Sequence, residues 1–475
     1  MPRKVKDLEA AEQKPYPFIL LITTTVALLG LFYYTSLRVD LLSPVWIYFF
    51  LYLTAYFVYL YASFRVVPAV DKLYKFVPQF IILFGIVFRL MLVHSPPSLS
   101  TDIYRYIWDG RLSIHGVNPF RWTPNDSRLA HLRDWQIWMP MEYKPYQTVY
   151  MSVSQEIFAI GSLLFHNNIT GYKLMYVTFD IGNMLLLWRL LIKLDQPAWK
   201  VVWYAWCPLP IIEIGLSGHQ DVTGVFFFLA TFLVFACGRT RLASILIAAS
   251  VLTKGFPLLL IPLFARKSGW TFAAYALVFL ALFGIPQIME AHEFLHGMQQ
   301  YLMNVEVNGS IHALIDYFLS YYTTKHLQLA NQITDLMILV VVGAMIYRPL
   351  STLKELMRRS LIIVCSCLLV VPTLFPWYLV WLIPVATCVG KRPSAAVIVL
   401  LGTSIMNYTF YFTHETYWWS AWIEYVPFYS VLLWEVYRGY WRSSESAELN
   451  EPTEPGPVAP PVRSTSDGVL TAAEA

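Results

Sequence analysis

Residues 17–37 read PFILLITTTVALLGLFYYTSL, a run with no charged side chain. About 20 apolar residues are what a helix needs to cross the hydrocarbon of a bilayer. No water is present there to satisfy backbone N–H and C=O groups, so such a run has to be helical. The pattern recurs outward along the chain. Apolar runs at 45–64, 76–94, 171–192, 200–216, 222–238, 268–289, 331–347, 360–376, 377–390, 394–412 and 422–441 raise the expectation to about twelve crossings. A further stretch, 242–265, is interrupted by Lys254, Gly255 and Pro257 and reads as a re-entrant pair of half-helices.

Composition agrees. Of 475 residues, 57% are hydrophobic, 16% aromatic and only 13% charged, against roughly 25% charged in a soluble domain. This excludes a soluble multidomain enzyme and a disordered chain. It also argues against an outer-membrane barrel, whose segments are about 10 residues long and alternate in polarity. The expected fold class is an all-α polytopic membrane protein, with its transmembrane domain over 17–441.

Lys and Arg total 34 and Asp and Glu total 30, a net charge of +4, without the basic stripe that nucleic acid requires. Cys207, Cys237, Cys365, Cys367 and Cys388 lie in or beside apolar runs and read as small buried hydrophobes. Arg3, Lys4 and Lys6 precede the first run, but no small-residue cleavage site follows it, so that run reads as a retained helix.

Short loops carry the basic residues: Arg65, Lys72 and Lys75; Arg189, Lys193 and Lys200; Arg239 and Arg241; Arg266 and Lys267; Arg348, Lys354, Arg358 and Arg359; Lys391 and Arg392; Arg438 and Arg442. The positive-inside rule puts these in the cytoplasm, together with the N-terminal segment 1–16. It also places there the tail 442–475, whose Ser, Glu and Pro content reads as disordered. Two long segments, 95–170 and 290–330, then face outward. Both mix Trp, Tyr and Phe with polar groups, which suits amphipathic helices at the headgroup level.

The densest polar text is Ser100-Thr101-Asp102-Ile103-Tyr104-Arg105-Tyr106-Ile107-Trp108-Asp109-Gly110-Arg111, just past the third crossing. A carboxylate at the edge of the hydrocarbon can be partly desolvated, and so tuned as a base, while open to a lipid-borne substrate. Arg105 and Arg111 can hold a phosphate. Tyr104 and Trp108 suit sugar-ring faces. An interfacial helix with intrahelical ion pairs fits the same residues. Asn118-Pro119 is a turn signal, and Thr148-Val149-Tyr150 with Gln155 has no catalytic spacing of its own.

Around the fifth crossing stand Glu213, His219 and Asp221. An ionisable group within a span is a functional candidate, although Asp221 also suits the start of the next helix. His219 with Asp221 supplies only two metal ligands, which define no site. Lys254 is embedded beside Gly255 and Pro257, and irregular backbone at membrane depth has to face protein or a wet cavity. Asn308-Gly309-Ser310, Trp377 and Tyr378 fall in outward segments with aromatic-belt composition.

Taken in order, these pieces resemble the bacterial GT-C glycosyltransferases, and within them the mannosyltransferase-like branch that uses polyprenyl-phosphate sugars. Asp102 to Arg111, followed by Gly116 and Asn118-Pro119, is similar to that branch's first outer loop. Thr148-Val149-Tyr150 with Gln155 and Phe158, Cys207-Pro208-Leu209 with Glu213 and Gly218-His219-Gln220-Asp221, and Lys254 before Pro257-Leu258-Leu259-Leu260 are similar to its later motifs. The chain departs from the pattern at Thr101, where an acid often stands, at Met151-Ser152 in place of two prolines, and at Cys207 in place of Asn.

The resemblance implies a GT-C-like bundle and transfer of a sugar, a mannose-like hexose favoured, from a polyprenyl-phosphate sugar to a glycan or glycolipid acceptor. It places this at the outer face of a bacterial plasma membrane. Asp102 would be the catalytic base of an inverting reaction, needing no cofactor and no divalent metal. Tyr104, Arg105, Trp108, Asp109, Arg111, Asn118, Tyr150, Gln155, Glu213, His219, Asp221, Lys254, Trp377 and Tyr378 would contact substrate. Arg105, Arg111, His219 and Lys254 are the candidates for the departing phosphate. A secondary transporter or lipid flippase with Glu213 and Lys254 as an intramembrane charged site is the rival reading. Such proteins usually show internal repeats and midplane charges, and no repeat is visible here. A non-catalytic assembly subunit is a third reading.

Overall fold

The computed structural model describes residues 15–305, 307–410 and 418–439. The expected disordered tail 442–475 and most of the N-terminal segment lie outside the described residues. The architecture is all-helical; among the described residues the only β-pairing is an isolated bridge between Val307 and Thr373. In chain order the first helices are α1 (Pro15–Ser36), α2 (Val45–Tyr61), α3 (Val77–Leu92), α4 (Asp102–Ile114), α5 (Ser152–Phe165) and α6 (Ile169–Lys193). Then come α7 (Pro208–Gly215), α8 (Asp221–Ala236), α9 (Thr240–Lys254), α10 (Ile261–Ser268) and α11 (Trp270–Phe283). The remainder are α12 (Ala291–Asn304), α13 (Ile311–Ser320), α14 (His326–Tyr347), α15 (Leu353–Val370), α16 (Leu382–Val389), α17 (Ala395–Thr403) and α18 (Trp418–Tyr437).

Four helices among the described residues are long and apolar enough to cross a bilayer: Tyr16–Ser36, Val45–Asp71, Ile169–Lys193 and His326–Tyr347. Several other apolar runs are broken. Cys207-Pro208 splits the fifth run, and Pro376–Trp381 is a 3-10 turn before α16. The freed backbone groups at these breaks sit inside protein, as bilayer physics demands. Outward faces stay apolar: Leu336, Leu339 and Val340 of α14 and Leu277, Val278 and Leu282 of α11 are exposed.

Two expectations need correction. The stretch 242–265 is not a pair of half-helices. α9 is a whole helix of 15 residues packed along α8, and its last residue reaches the first of α8, with Lys254 Nζ 2.6 Å from Asp221 Oδ1. Only the return is irregular, a 3-10 turn at Phe256–Leu260 leading into the short α10. Nor does α4 lie on a headgroup surface. Ile103 and residues 105–112 are buried, because α5 and α6 cover the helix: Tyr106 stacks on Phe158 with centroids 4.8 Å apart and meets Tyr176 edge-on. In contrast α12 buries only Phe294 and Gly297 and keeps the exposed character expected of an interfacial helix. Of the cysteines, Cys237 is exposed and the other four are buried.

The basic turns gather at one end. Lys200 Nζ donates to Thr387 O and Gly390 O at 3.1 and 2.6 Å, Arg392 lies over the Phe64 ring, and Lys267 Nζ donates to Ser351 O at 2.7 Å. Arg359 ties the same turn through Arg348 O at 2.7 Å. Asp221 begins α8 and Lys254 ends α9, and the other ends of these two helices meet at the basic turn with Arg239 and Arg241.

Candidate active site

Asp102 is the first residue of α4. Its side chain is 23% exposed and opens into a cavity of about 1160 Å³, mouth included, with Arg105, Tyr150, Asp221, Lys254, Trp377 and Tyr378 in its walls. Six sequence-stretches converge here because each helix or turn ends at this level. Burial pushes the Asp102 carboxyl up from 3.8 to about 7. The nearby carboxylates Asp221 and Glu142 add to the rise, and Lys254 and a hydrogen bond from Tyr150 oppose it. Tyr106 OH stands 3.5 Å from Asp102 Oδ2 and His219 Nδ1 stands 3.7 Å from it. Asp102 thus faces the cavity with aromatic hydroxyl and imidazole neighbours and no cation in direct contact.

Lys254 and Asp221 are the charged pair of the opposite wall. Trp381 Nε1 donates to the same Asp221 oxygen at 3.2 Å. The ammonium stands 3.3 Å from the centre of the Tyr378 ring, a cation–π contact strengthened by desolvation. Asp221 and Tyr378 therefore fix where this positive charge sits, and Lys254 still touches the cavity.

Behind Asp102 lies His219. The turn between α7 and α8 places it: Gly218 has φ +75°, a left-handed backbone that favours glycine. The His219 ring stacks on Trp377 with centroids 3.8 Å apart and planes 14° from parallel. Burial, with Lys254 nearby, holds its pKa well below the ordinary value, so the imidazole is neutral. Its Nε2 stands 3.5 Å from Glu213 Oε2, and the other Glu213 oxygen accepts from Tyr408 OH at 2.6 Å.

Of the remaining sequence candidates, Arg105 touches the cavity wall and the others build the frame around it. Arg105 Nε bonds Asp109 Oδ1 at 2.8 Å and Gln155 Nε2 bonds Asp109 Oδ2 at 3.1 Å. This fully buried knot locks α4 to α5. Arg111 is held by Leu132 O, Asp134 and Asn167 at 2.7, 2.6 and 2.9 Å, which leaves its guanidinium spent on the loop. Trp108 is buried in the core, Tyr104 packs against it, and Asn118 Nδ2 donates to Pro286 O at 2.8 Å. Glu213 and Lys254, the supposed transport pair, take separate partners, Tyr408 and Asp221. Sequence reasoning missed Glu142, Tyr143, Met298 and Tyr301, all in the cavity wall. Their only signal was membership of the two long segments between crossings. Among the described residues, no three His, Cys, Asp or Glu side chains converge as metal ligands.

The geometry is one exposed carboxylate near neutrality, one anchored ammonium and an aromatic wall, which can bind a sugar and take a proton from a hydroxyl. No curated protein matches the chain. The MptA_B family, described as alpha-(1->6)-mannopyranosyltransferase, N-terminal domain, matches residues 25–268. That is just over half of the sequence and includes Asp102, His219, Asp221 and Lys254, so the chain belongs to this family of glycosyltransferases.

Proposed function

We propose that the protein transfers a hexose, mannose favoured, from a polyprenyl-phosphate sugar to a glycan or glycolipid acceptor, with Asp102 as base. The observation that carries this is the Asp102 carboxylate, unpaired with any cation and raised to about 7, at the wall of a cavity lined by aromatic rings. A base is most effective when its pKa lies near the working pH. A sugar on a lipid phosphate already has a good leaving group, so one carboxylate suffices. Hydrolases, by comparison, need two at fixed separation. The acceptor hydroxyl, deprotonated by Asp102, attacks the anomeric carbon from the face opposite the phosphate, and the configuration inverts.

Lys254 is the group that meets the departing phosphate, where a positioned cation stabilises developing charge. Arg105 reaches the same wall with its charge already shared with Asp109. Met298 and Leu302 of the exposed α12 offer the lipid chain an apolar side entrance. The separation of this cavity from the basic end supports action at the outer face of a bacterial plasma membrane, with both termini in the cytoplasm.

Purified protein incubated with a panel of lipid-phosphate sugars tests the reading, with products identified by mass. Hexose transfer by the wild type and none by a folded Asp102→Asn variant is the expected result. Full transfer by that variant removes Asp102 from the role, and transfer only from nucleotide sugars removes the lipid donor.

A further inference from the structure

We infer that His219 and Glu213 form a proton relay behind Asp102, carrying the acceptor's proton away from the cavity. The inference rests on Asp102 being the base. Three groups stand in line from the cavity wall inward: Asp102 Oδ2 is 3.7 Å from His219 Nδ1, and His219 Nε2 is 3.5 Å from Glu213 Oε2. His219 and Glu213 are 1% and 0% exposed. Neither His219 Nε2 nor Glu213 Oε2 has another hydrogen-bond partner. Two such orphaned atoms in one place are costly, and each is aimed at the other.

Both side chains are fixed. Tyr408 holds the far oxygen of Glu213, the His219 backbone N–H donates to Glu213 O at 3.0 Å, and Trp377 covers the imidazole face. The charged and titratable groups facing His219 are Asp102 and Tyr106 from α4, Glu213 from α7, Asp221 from α8 and Lys254 from α9. With Nε2–H directed at Glu213, Nδ1 presents its lone pair to Asp102 Oδ2 and to Tyr106 OH, which stands 3.5 Å from both atoms. The gaps exceed a formed hydrogen bond; catalytic contacts of this kind tighten when substrate binds.

The step balances. An acceptor oxygen lone pair forms the new bond to the anomeric carbon, and the bond from that carbon to the phosphate oxygen breaks with its electrons on phosphate. The acceptor's proton passes to Asp102 and on to His219 Nδ1 while the Nε2 proton moves to Glu213, which has to enter the step as the carboxylate. After product leaves, the same protons return along the line to cavity water. A neutral imidazole suits this role, since it passes a proton without keeping one. Asp102 is then deprotonated again while product is still bound, which favours the forward reaction.

Glu213→Gln keeps the volume and the Tyr408 bond; His219→Gln removes the shuttle. In the full-length protein with lipid-phosphate mannose, each variant is expected to lower kcat by about 100-fold, the low end of acid–base contributions, with KM unchanged. The wild type is expected to show a curved proton inventory in mixed H₂O and D₂O, and both variants a linear one. Wild-type kcat with a curved inventory in folded Glu213→Gln overturns the relay, as does a raised KM at constant kcat in either variant. If one variant does not fold, the other decides. An inactive Asp102→Asn beside a fully active Glu213→Gln sinks the relay alone, whereas an active Asp102→Asn sinks the base assignment itself.

Discussion

Replacing Asp102 by Asn changes stability as well as chemistry, and the sign can be worked out. The folded carboxyl keeps its proton up to about pH 7, whereas an ordinary one releases it near 3.8. The folded state therefore loses stability as pH rises through that interval, and the loss is complete above it. At about 1.4 kcal/mol per tenfold, the gap sets a ceiling of about 4 kcal/mol. The side chain is 23% exposed to a wet cavity, so an effect of about 1–3 kcal/mol is expected. Asn cannot ionise and is free of this cost. In detergent at pH 8.5, Asp102→Asn should unfold at higher temperature or higher denaturant than wild type, and the difference should shrink steadily towards pH 4. Transfer is lost at every pH. If the two proteins unfold together at both pH values, the carboxyl is not desolvated. If the variant is the weaker at pH 8.5, the carboxylate is paired in the folded state, and the argument for a tuned base fails.

Other substitutions separate tuning, binding and packing. Glu142→Gln removes a carboxylate that raises Asp102, so the ascending limb of the pH–rate profile should move to lower pH by a few tenths, read from kcat between pH 5 and 9. Lys254→Met leaves Asp221 buried with only Trp381 donating. It should cost about 3 kcal/mol in unfolding and raise the donor KM about tenfold or more, and adding Asp221→Asn should restore stability without restoring KM. Gly110→Ala would put a Cβ 2.2 Å from Phe158 O and 2.6 Å from Ser162 Oγ. Backbone cannot yield there cheaply, so α4 and α5 should separate, with a loss of more than 2 kcal/mol and of activity together.

The membrane class and the place of the key acid were legible because both rest on short-range facts: apolar run length and a polar motif just past a run. Which polar residues face the cavity was not legible. Arg111 and Asp109 look as available as Asp102 in the sequence. The i,i+4 pair of Arg105 with Asp109 was readable in the sequence, but Asp134 and Asn167, which engage Arg111, and Gln155, which also engages Asp109, lie on other elements, and packing reveals those bonds. The break at Lys254-Gly255-Pro257 was visible, but not its meaning. A break in mid-membrane and a break at the end of a whole helix read alike, and the pair with Asp221 decides between them. Tyr301 and Tyr143 carried no local pattern at all, because a cavity wall has no sequence period.

The acids and bases of the site lie within the matched residues 25–268, yet the groups that set their environment lie beyond. Trp377 covers His219, Tyr378 receives Lys254, Trp381 donates to Asp221, and Tyr408 fixes Glu213. Three of these four come from the turn Phe375–Trp381, and its register is set by Leu374 N–H donating to Val307 O at 3.0 Å. That pairing, with Thr373 Oγ1 donating to Val305 O and Asn308 Nδ2 to Leu374 O, ties the second long segment to the aromatic wall. The pKa of Asp102 depends on burial, and rings from both halves, Tyr106 and Tyr150 as well as Trp377 and Tyr378, line the cavity it faces. The family match over residues 25–268 therefore contains the acids and bases of the site but not the Trp377 and Tyr378 rings packed on His219 and Lys254. On the proposed function, residues 298–302 and 375–378 shape the part of the cavity offered to the sugar. Sugar and acceptor preference should follow substitutions there, and should be insensitive to changes at Arg111 or Gln155 that leave the fold intact.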